Sequence, residues 1–280
     1  SVIGGAGSIS SAGNQMRITQ NSQNMIVNWQ SFNIGKDASV NFAQPNSQSS
    51  ALNRVLSSDP SYIMGSLSSN GRVFLVNPSG ILFGNGAQVN VGSIVASTLD
   101  ISNSNFMSGN YVFEKNGSAS SIVNQGNISA ANAGFVALLA PEVINQGLIS
   151  ARLGTVALAA GDKVSLDLKG DGLLSFNIDR AALAALAENR GLIQANGGQV
   201  ILGARSAGDL MATVVNNTGV IEANTMIERN GVIVLDGGSQ GIVKNQGSLI
   251  ATGIDSGQTG GTVKVLGDKV GVMASAVIDA

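Results

Sequence analysis

The stretch Ile122–Ala140, "IVNQGNISAANAGFVALLA", returns as "VINQGLISARLGTVALAAG" over Val143–Gly161. Both copies read Asn, any residue and Gly, then a short alternating run, a break and a second apolar run. Related copies follow at Asn189, Asn217 and Asn245. A unit of about 20–30 residues with short strands and glycine corners buries its apolar side only by stacking on further copies. The repeat therefore predicts an all-β fold, a parallel β-solenoid.

The repeat also predicts what happens at its corners. The glycine after the asparagine recurs at intervals of 21, 44, 28 and 28 residues, at Gly126, Gly147, Gly191, Gly219 and Gly247. The 44-residue interval predicts two coils, one of them filled by "VSLDLKGDGLLSFNI". Stacked corner asparagines are expected to form a ladder of side-chain amides. A leucine-rich repeat would need regular leucines and a helical segment in each copy, which these copies lack.

Two segments depart from the repeat. "RAALAALAEN" (Arg180–Asn189) has a helical pattern, which predicts an isolated helix that caps or decorates one coil. Between 100 and 121, "FMSGNYVF" places Ser-Gly-Asn between apolar residues, which predicts a β-hairpin outside the solenoid. Residues 1–40 are expected to form a cap and opening turns, 41–99 the first regular turns, and 122–280 the repeats. Trp29 and Phe32 are expected to plug the first end, where open strand edges would invite aggregation.

Composition limits the chemistry that this chain can perform. Its 280 residues are 44% hydrophobic, carry a net charge of −2 with a pI near 5.1, and include neither Cys nor His. The charge offers no cationic field for nucleic acid. The missing residue types exclude disulfides, thiolate metal sites, cysteine nucleophiles and histidine bases. A chain without cysteine also suits passage through an oxidising periplasm. We expect no cofactor, metal or small-molecule substrate.

Enzymatic and metal-binding alternatives find little support. Asp167 and Asp171 in "DLKGDG" lack the alternating oxygen ligands and closing Glu of a calcium loop, so a solvated turn is favoured. Parallel β-helices include polysaccharide-degrading enzymes, but glycoside hydrolysis needs two convergent carboxylates and the acids here are scattered. A β-helix that itself adheres to a host receptor or glycan stays open as the alternative function, although one Trp and two Tyr offer few sugar-binding aromatics.

Four segments, in order, carry a resemblance to a known family. They are "NWQSFNIG" from Asn28, "VNFAQPNSQSSALNRV" from Val40, "GRVFLVNPSGILFGNGAQVNVGSIVAST" from Gly71 and "FMSGNYVF" from Phe106. Together they resemble the amino-terminal two-partner secretion (TPS) domain of filamentous-haemagglutinin-like and haemolysin-like exoproteins, the haemagglutination activity domain family. Here Ser79 replaces the second Asn of the familiar "NPNGI" turn, and the separate "NPNL" motif of some members is missing.

The resemblance implies a right-handed parallel β-helix that targets a larger exoprotein for secretion. Its partner would be a TpsB-type outer-membrane barrel transporter with periplasmic POTRA domains, which capture strands by β-augmentation. The resemblance further implies passage through the periplasm of a Gram-negative bacterium and release at or from the cell surface, where folding helps to pull the chain outward. We expect an elongated monomer, and a fragment of the larger protein because the last strand lacks a polar cap.

Nine residues are candidates for transporter recognition or for folding. They are Gln44, Pro45, Asn53, Arg54, Asn77, Pro78, Ser79, Gly80 and Ile81. "NPSG" fits a type I turn position by position, so a turn that only folds the β-helix explains it without a partner. Asn53 and Arg54 are expected either to contact the transporter or to clamp the cap onto the first coils; the alternative for Arg54 is a solvated charge.

Overall fold

A computed structural model of the chain describes residues 1–117, 119–168, 173–208, 212–227 and 229–280. Short strands dominate these residues, and the one helix among them, α1, spans Asn103–Met107. The strands in chain order are β1 (Val2–Gly4), β2 (Gly7–Ala12), β3 (Gln15–Gln20), β4 (Asn24–Trp29), β5 (Ser39–Ala43), β6 (Ser50–Val55), β7 (Ser61–Ile63), β8 (Ser66–Ser69), β9 (Arg72–Val76), β10 (Ile81–Phe83), β11 (Gln88–Val91), β12 (Ser93–Ser97), β13 (Tyr111–Glu114), β14 (Ile122–Asn124), β15 (Asn127–Ala130), β16 (Phe135–Ala140), β17 (Glu142–Asn145), β18 (Leu148–Ser150), β19 (Thr155–Ala160), β20 (Lys163–Asp167), β21 (Ser175–Arg180), β22 (Leu186–Asn189), β23 (Leu192–Gln194), β24 (Gln199–Ala204), β25 (Thr213–Asn217), β26 (Val220–Glu222), β27 (Val232–Asp236), β28 (Ile242–Asn245), β29 (Ser248–Ile250), β30 (Thr262–Leu266), β31 (Lys269–Val272) and β32 (Val277–Asp279). No helix within these described ranges has the length and apolar character needed to cross a membrane.

The strands wind into a parallel β-helix with three faces. A regular coil gives one strand to an eight-stranded sheet, the next to an eleven-stranded sheet and the third to a ten-stranded sheet, as β14, β15 and β16 do. Each strand then pairs in parallel with its equivalent in the next coil, for example β16 with β19 and β19 with β24. The predicted parallel β-helix is confirmed.

The interior of the helix is a set of stacked aliphatic side chains. On the ten-stranded sheet Val73, Ile94, Val136, Val156 and Val200 occupy one register position in successive coils, and all are fully buried. Successive strands lie about 4.8 Å apart, so each side chain packs directly on its equivalent. Most of these interior side chains are small or medium-sized aliphatic ones, and Phe32, Phe42 and Phe83 are larger members of the same core.

The repeated corners leave no space for side chains at their glycines. A Cβ on Gly147 would lie 2.2 Å from the carbonyl oxygen of Gly126, and one on Gly191 would lie 2.1 Å from that of Gly147. The corner asparagines stack beside them and are fully buried, from Asn124 to Asn245. Each Nδ2 donates to the next Oδ1 at 2.8 Å, which confirms the expected amide ladder.

A second core covers the outer face of the ten-stranded sheet. Alternate residues of that sheet, among them Leu52, Phe74 and Val95, pack against Phe106 and Phe113 of an excursion from the helix. The excursion consists of two chain segments that leave the helix, one with α1 and β13 and a later one with β20 and β21. Strands β13, β20 and β21 form a three-stranded antiparallel sheet. Both faces of the ten-stranded sheet are therefore buried here, which accounts for apolar runs such as "FVALLA" that do not alternate.

The amino-terminal end is closed by antiparallel strands. Strand β1 pairs antiparallel with β4, and β2 pairs antiparallel with β3 through a tight turn at Gly13, whose φ is +59°. Parallel winding begins at the pairing of β3 with β5. Trp29 is partly buried against the interior, and its ring meets that of Phe32 edge to face, with centroids 5.4 Å apart.

The hairpin predicted for 100–121 is wrong. Ser102 accepts a hydrogen bond from the backbone N–H of Asn105 and begins α1, which carries Phe106 to the second core. Strand β13 follows; within the segment it makes only an isolated antiparallel bridge, from Glu114 to Asp100, and it pairs along its length with β20. The hairpin outside the helix is formed by β20 and β21. The first of these strands begins at Lys163, 52 residues after β13 begins at Tyr111, and a local sequence pattern does not reach that far.

Two further sequence predictions are wrong. "VSLDLKGDGLLSFNI" forms the β20–β21 hairpin, so the 44-residue interval is one coil with an insertion, and β19 pairs directly with β24. "RAALAALAEN" contains no helix; it ends in strand β22, and Ala182, Ala185 and Ala187 lie in the interior. Strand β22 pairs in parallel with β17 on one side and β25 on the other. This pairing overrides its helical propensity, because the backbone of each coil must hydrogen-bond to the backbones of its two neighbours.

Candidate functional site

The turn Asn77–Gly80 joins β9 to β10 and is built around a fully buried asparagine. The backbone N–H of Gly80 donates to the carbonyl oxygen of Asn77 at 3.1 Å, and the N–H of Ser79 donates to the Asn77 side-chain oxygen at 3.0 Å. The Asn77 amide donates in turn to the Asp59 carbonyl and the Ser61 hydroxyl, each at 3.0 Å. One side chain thus closes its own turn and ties it to the coil below.

The other turn residues follow from the backbone. Ser79 has a negative φ, which excludes a type II turn and agrees with type I geometry, where Ser or Asn serves equally. Gly80 is buried with φ at +118°, a conformation that favours glycine. Ile81 is 2% exposed and points into the interior, whereas Pro78 and Ser79 are partly exposed. Only the middle of the turn is accessible on the folded surface.

Arg54 holds the excursion against the helix. Its Nε donates to Asp100 Oδ1 at 2.9 Å, Nη1 donates to Asn103 Oδ1 at 2.7 Å, and Nη2 donates to the carbonyl of Ile101. The Arg54 side chain is only 13% exposed. The alternative of a solvated charge is therefore wrong. Arg54 is a polar clamp, but the segment that it clamps leads into α1 rather than the amino-terminal cap.

Asn53 points the other way, into the interior. Its side-chain oxygen accepts from Trp29 Nε1 at 3.0 Å, and its amide donates to the carbonyls of Ala51 and Phe74 at 3.3 Å each. Asn53 is fully buried, so these bonds satisfy a polar group that would otherwise be costly inside an aliphatic core. Trp29 and Asn53 join two successive coils.

Gln44 is the centre of a polar stack at the corner between β5 and β6. Its amide donates to Gln20 Oε1 at 2.8 Å and to the Ser49 carbonyl at 3.0 Å, while the Ser69 hydroxyl donates to its side-chain oxygen. In this part of the chain the stack fills the role that the asparagine ladder fills later. Pro45 follows on the exposed surface of the corner loop.

The structure brings some of these residues together and separates others. Arg54 pairs in register with Val76, so it lies beside the first residue of the Asn77 turn at one end of the ten-stranded sheet. Gln44 lies where β6 and β9 begin, because it bonds to the carbonyls of Ser49 and Arg72, so it belongs to the opposite end. The nine residues form two clusters, not one site.

The sequence interpretation missed the partners of these residues. Gln20, Ser61 and Asp100 complete the hydrogen-bond networks, and each lies at least 16 residues from the residue it contacts. It also missed the aromatic cluster beside the turn. Phe74 stacks on Tyr111 at 5.2 Å and meets Phe106 edge to face at 5.3 Å. Phe74 precedes the turn by three residues, and the signal was this Phe together with the three aromatic residues of "FMSGNYVF", namely Phe106, Tyr111 and Phe113.

Charged side chains fix the three-stranded sheet. Glu114 Oε1 lies 2.7 Å from Arg180 Nη1, and Glu114 Oε2 lies 3.4 Å from Lys163 Nζ. The hydrogen bond to Arg180, then that to Lys163, holds the pKa of the Glu114 carboxyl below its ordinary value of 4.5. Among the described residues no three His, Cys, Asp or Glu side chains are grouped to hold a metal ion. Asp167 ends β20, and Asp171 lies outside the described residues.

Comparison with known proteins gives one consistent family. The model of the TPS secretion domain matches residues 2–269. A heme/hemopexin-binding protein of Haemophilus influenzae is 33% identical over 244 residues, which are 84% of this chain and 26% of that protein. A second heme/hemopexin-binding protein of Haemophilus influenzae is 30% identical and again matched over 26% of its length. The chain spans about a quarter of the length of these curated relatives.

Solved structures agree with this result. The crystal structure of the HMW1 secretion domain from Haemophilus influenzae is similar over the whole chain and 72% of that structure, with a TM-score of 0.80 and 33% identity. The filamentous hemagglutinin secretion domain covers 99% of this chain and 96% of its own, with a TM-score of 0.54 and 15% identity, which shows a shared fold.

Proposed function

Because the chain belongs to the family of TPS secretion domains, we propose that it targets a larger exoprotein to a dedicated outer-membrane transporter. The observation that carries this proposal is the family match over residues 2–269, which spans the cap, the turn, the excursion and the repeats. The similarity to the HMW1 secretion domain along the whole chain supports it. This family is one of secretion domains and not of enzymes, so we propose no polysaccharide-degrading activity.

The transporter in this proposal is a TpsB-type barrel with POTRA domains that capture the chain as extended strands in the periplasm. Capture by β-augmentation uses backbone groups, and every coil of this protein consists of short strands whose backbone needs a partner. The captured chain is then passed outward and folds as a monomer at the cell surface. Release from the transporter is favoured because each coil exchanges transporter contacts for contacts with the coil before it.

The stacked architecture suits folding in one direction. Each coil packs on its predecessor, so stability accumulates as a sum of neighbouring interfaces. Strands β1 and β2 pair antiparallel with β4 and β3, so they cover the strand edges of the first coil. Later coils then add at the other end of the stack. We propose that the cap and first coils nucleate this process, with Trp29 and Phe32 filling the first coil.

The nine candidate residues divide by accessibility. Six have little or no exposed surface in the folded chain, namely Gln44, Asn53, Arg54, Asn77, Gly80 and Ile81. Their contribution to secretion therefore comes through folding or through recognition before folding. Pro78, Ser79 and Pro45 retain exposed surface. We propose that a transporter contact with the folded turn, where it occurs, uses Pro78 and Ser79.

Heme binding is part of the names of two relatives, and we do not propose it for this chain. Both relatives are called heme/hemopexin-binding proteins. This chain has no His and no Cys, so a heme site with either axial ligand would need residues from elsewhere in a longer protein.

The test is secretion of the chain, fused to a signal peptide that exports it to the periplasm, in a Gram-negative host that does or does not express the cognate transporter. We expect the chain in the medium or on the cell surface only when the transporter is present, and in the periplasm otherwise. An unrelated barrel expressed at the same level is the control. Equal secretion without the cognate transporter would overturn the proposed function.

A further inference from the structure

Asparagine stands directly before glycine at five places in the sequence. These pairs are Asn70–Gly71, Asn85–Gly86, Asn116–Gly117, Asn196–Gly197 and Asn230–Gly231. Such a pair is prone to deamidation, because glycine has no side chain to hinder the attack of its own backbone nitrogen on the amide carbon of the asparagine. The attack also needs an unbonded glycine N–H and an asparagine side chain that can turn toward it. The folded chain meets these two requirements at some pairs and not at others.

The pair at Asn70 is held on both sides. The Asn70 side chain accepts a hydrogen bond from the Gln44 N–H and donates one to the Gln44 carbonyl, each at 2.8 Å. The N–H of the buried Gly71 donates to Ser69 Oγ at 3.0 Å. Neither the side chain nor the attacking nitrogen is available unless these bonds open.

Two further pairs are held at the glycine. Asn196 Oδ1 accepts from the Asn224 N–H at 3.0 Å, and the N–H of the glycine after Asn196 donates to the Asn224 carbonyl at 2.7 Å. The Asn230 side chain is exposed, but the glycine after it is buried and donates its N–H to Thr225 Oγ1 at 3.3 Å. Thr225 is therefore the residue that protects Asn230.

The remaining two pairs are unprotected. Asn85 and Gly86 are both exposed, in the turn between β10 and β11. Asn116 and Gly117 are also both exposed, after β13. Among the described residues, neither of these asparagine side chains has a hydrogen-bond partner, and neither of these glycine N–H groups has one. The two requirements for deamidation are met at both pairs.

We propose that Asn85 and Asn116 are sites of spontaneous deamidation in the folded protein and that the fold protects the other three asparagines. At Asn85 the Gly86 nitrogen loses its proton to a water molecule or base and attacks Cγ, so that a C–N bond forms. The bond from Cγ to Nδ2 breaks and ammonia leaves, which gives a five-membered succinimide. Water then opens the ring at one of its two carbonyl carbons and leaves an aspartyl or an isoaspartyl residue. The net change is one water taken up and one ammonia released.

The product at position 85 affects the contact between two coils. The next coil fixes both ends of the Asn85 turn, since the Gln125 N–H donates to the Phe83 carbonyl at 2.7 Å and the Asn127 N–H donates to the Ala87 carbonyl at 2.9 Å. An isoaspartyl residue lengthens the main chain between these two anchors by one methylene group. Deamidation at this position therefore loosens the stacking of β10 and β11 on the next coil.

Peptide mapping by mass spectrometry measures the reaction at each asparagine after the purified chain is incubated in mildly alkaline buffer, folded or in concentrated urea. In urea we expect similar rates at all five pairs. In the folded chain Asn85 and Asn116 should keep rates close to those in urea. Asn70 and Asn196 should slow at least about tenfold, because their hydrogen bonds must open before the attack.

Thr225→Val is the matched variant. It keeps the shape of the side chain and removes the acceptor for the Gly231 N–H. Deamidation at Asn230 in the folded variant should rise toward the rate in urea, while the rates at Asn70 and Asn85 stay unchanged. The Asn70 rate in the same sample, with the melting temperature, shows that the variant is folded.

Equal rates at Asn85 and Asn70 in the folded chain would overturn the inference, and so would an unchanged Asn230 rate in folded Thr225→Val. The consequence for stability is measured with Asn85→Gln, whose longer side chain forms the corresponding ring slowly. After the same incubation the parent should melt at a lower temperature than Asn85→Gln. Equal melting temperatures would overturn the claim that the product at position 85 loosens the coils. All of these measurements are independent of the transporter, so they can fail while the proposed function stands.

Discussion

At the scale of single residues, the Asn77 side chain joins two coils through one turn. Asn77→Ala leaves the Ser79 N–H, the Asp59 carbonyl and the Ser61 hydroxyl without this partner, and of these three residues only Ser61 is fully buried. We expect a loss of about 2–3 kcal/mol in the free energy of unfolding, since each unsatisfied buried group costs about 1–3 kcal/mol and the site relaxes in part. Urea titration measures the loss.

Pro78→Ala is the matched control for this prediction. It loosens φ at an accessible position and removes no hydrogen bond, so we expect at most about 1 kcal/mol. Equal losses for the two variants would show that the Asn77 bonds contribute little beyond the shape of the turn.

The corner glycines make a second prediction at this scale. A Cβ at residue 147 would approach the Gly126 carbonyl oxygen to 2.2 Å, and the other nearest atoms are also backbone atoms of Gln125 and Gly126, which cannot move aside as a flexible side chain could. Gly147→Ala is expected to lower the free energy of unfolding by about 1–3 kcal/mol, as for other overpacked sites. Gly13→Ala is a useful comparison, because no atom lies within 4 Å of a Cβ there and only its positive φ opposes the change. Differential scanning calorimetry of both variants distinguishes crowding from backbone strain.

At the scale of elements, the asparagine ladder fixes the register of the coils. Asn189 both accepts from Asn145 and donates to Asn217, whereas Asn245 accepts from Asn217 and is followed in register by Val272. Asn189→Ala should therefore cost more stability than Asn245→Ala, by about 1–2 kcal/mol, because it leaves unpaired groups on two neighbours. Chemical denaturation of both variants gives the comparison, and the reverse order would contradict a ladder that acts as a chain of bonds.

The three-stranded sheet should respond to acid through Glu114. A carboxyl whose pKa is depressed in the folded state stabilises the fold above its unfolded pKa, and that contribution is lost as pH falls through the folded pKa. We expect Glu114→Gln to melt at a lower temperature than the parent at pH 7 and the gap to narrow below pH 4.5. A gap that is constant between pH 7 and pH 3 would rule out the ion pairs with Arg180 and Lys163 as its cause.

How much the sequence predicted also depends on the element. The coils were predictable because "NQG" and the aliphatic runs repeat. Stacked copies need similar residues at equivalent positions, so each copy indicates the structure of the others. The turn was predictable because its hydrogen bonds are local. The hairpin outside the helix was misplaced because β13 finds its partner in β20, and Arg54 reaches Asp100 across 46 residues. Such contacts depend on how the winding of the coils positions distant segments in space. A local sequence pattern does not contain that information.

At the scale of the whole molecule, the fold is a stack of coils that begins at the antiparallel cap of β1 and β2. Its two cores differ in kind: the interior core runs through the coils, and the second core lies on one face, where Phe74 and the excursion meet. The candidate residues lie where these parts join, since Arg54 fixes the excursion and Asn77 fixes the turn beside it. We expect substitutions that reduce secretion to act chiefly by changing how the turn and the excursion assemble on the coils.

The most direct test of the central claim asks whether this chain is sufficient to direct secretion. The chain is fused ahead of a passenger that otherwise stays in the periplasm, and the passenger is measured in the periplasm and outside the cell, with and without the cognate transporter. We predict that the passenger leaves the cell only when both the chain and the transporter are present, and that Asn77→Ala reduces its export. Retention of the passenger in the periplasm with both present, or its release without the transporter, would show that this chain does not direct secretion through that transporter.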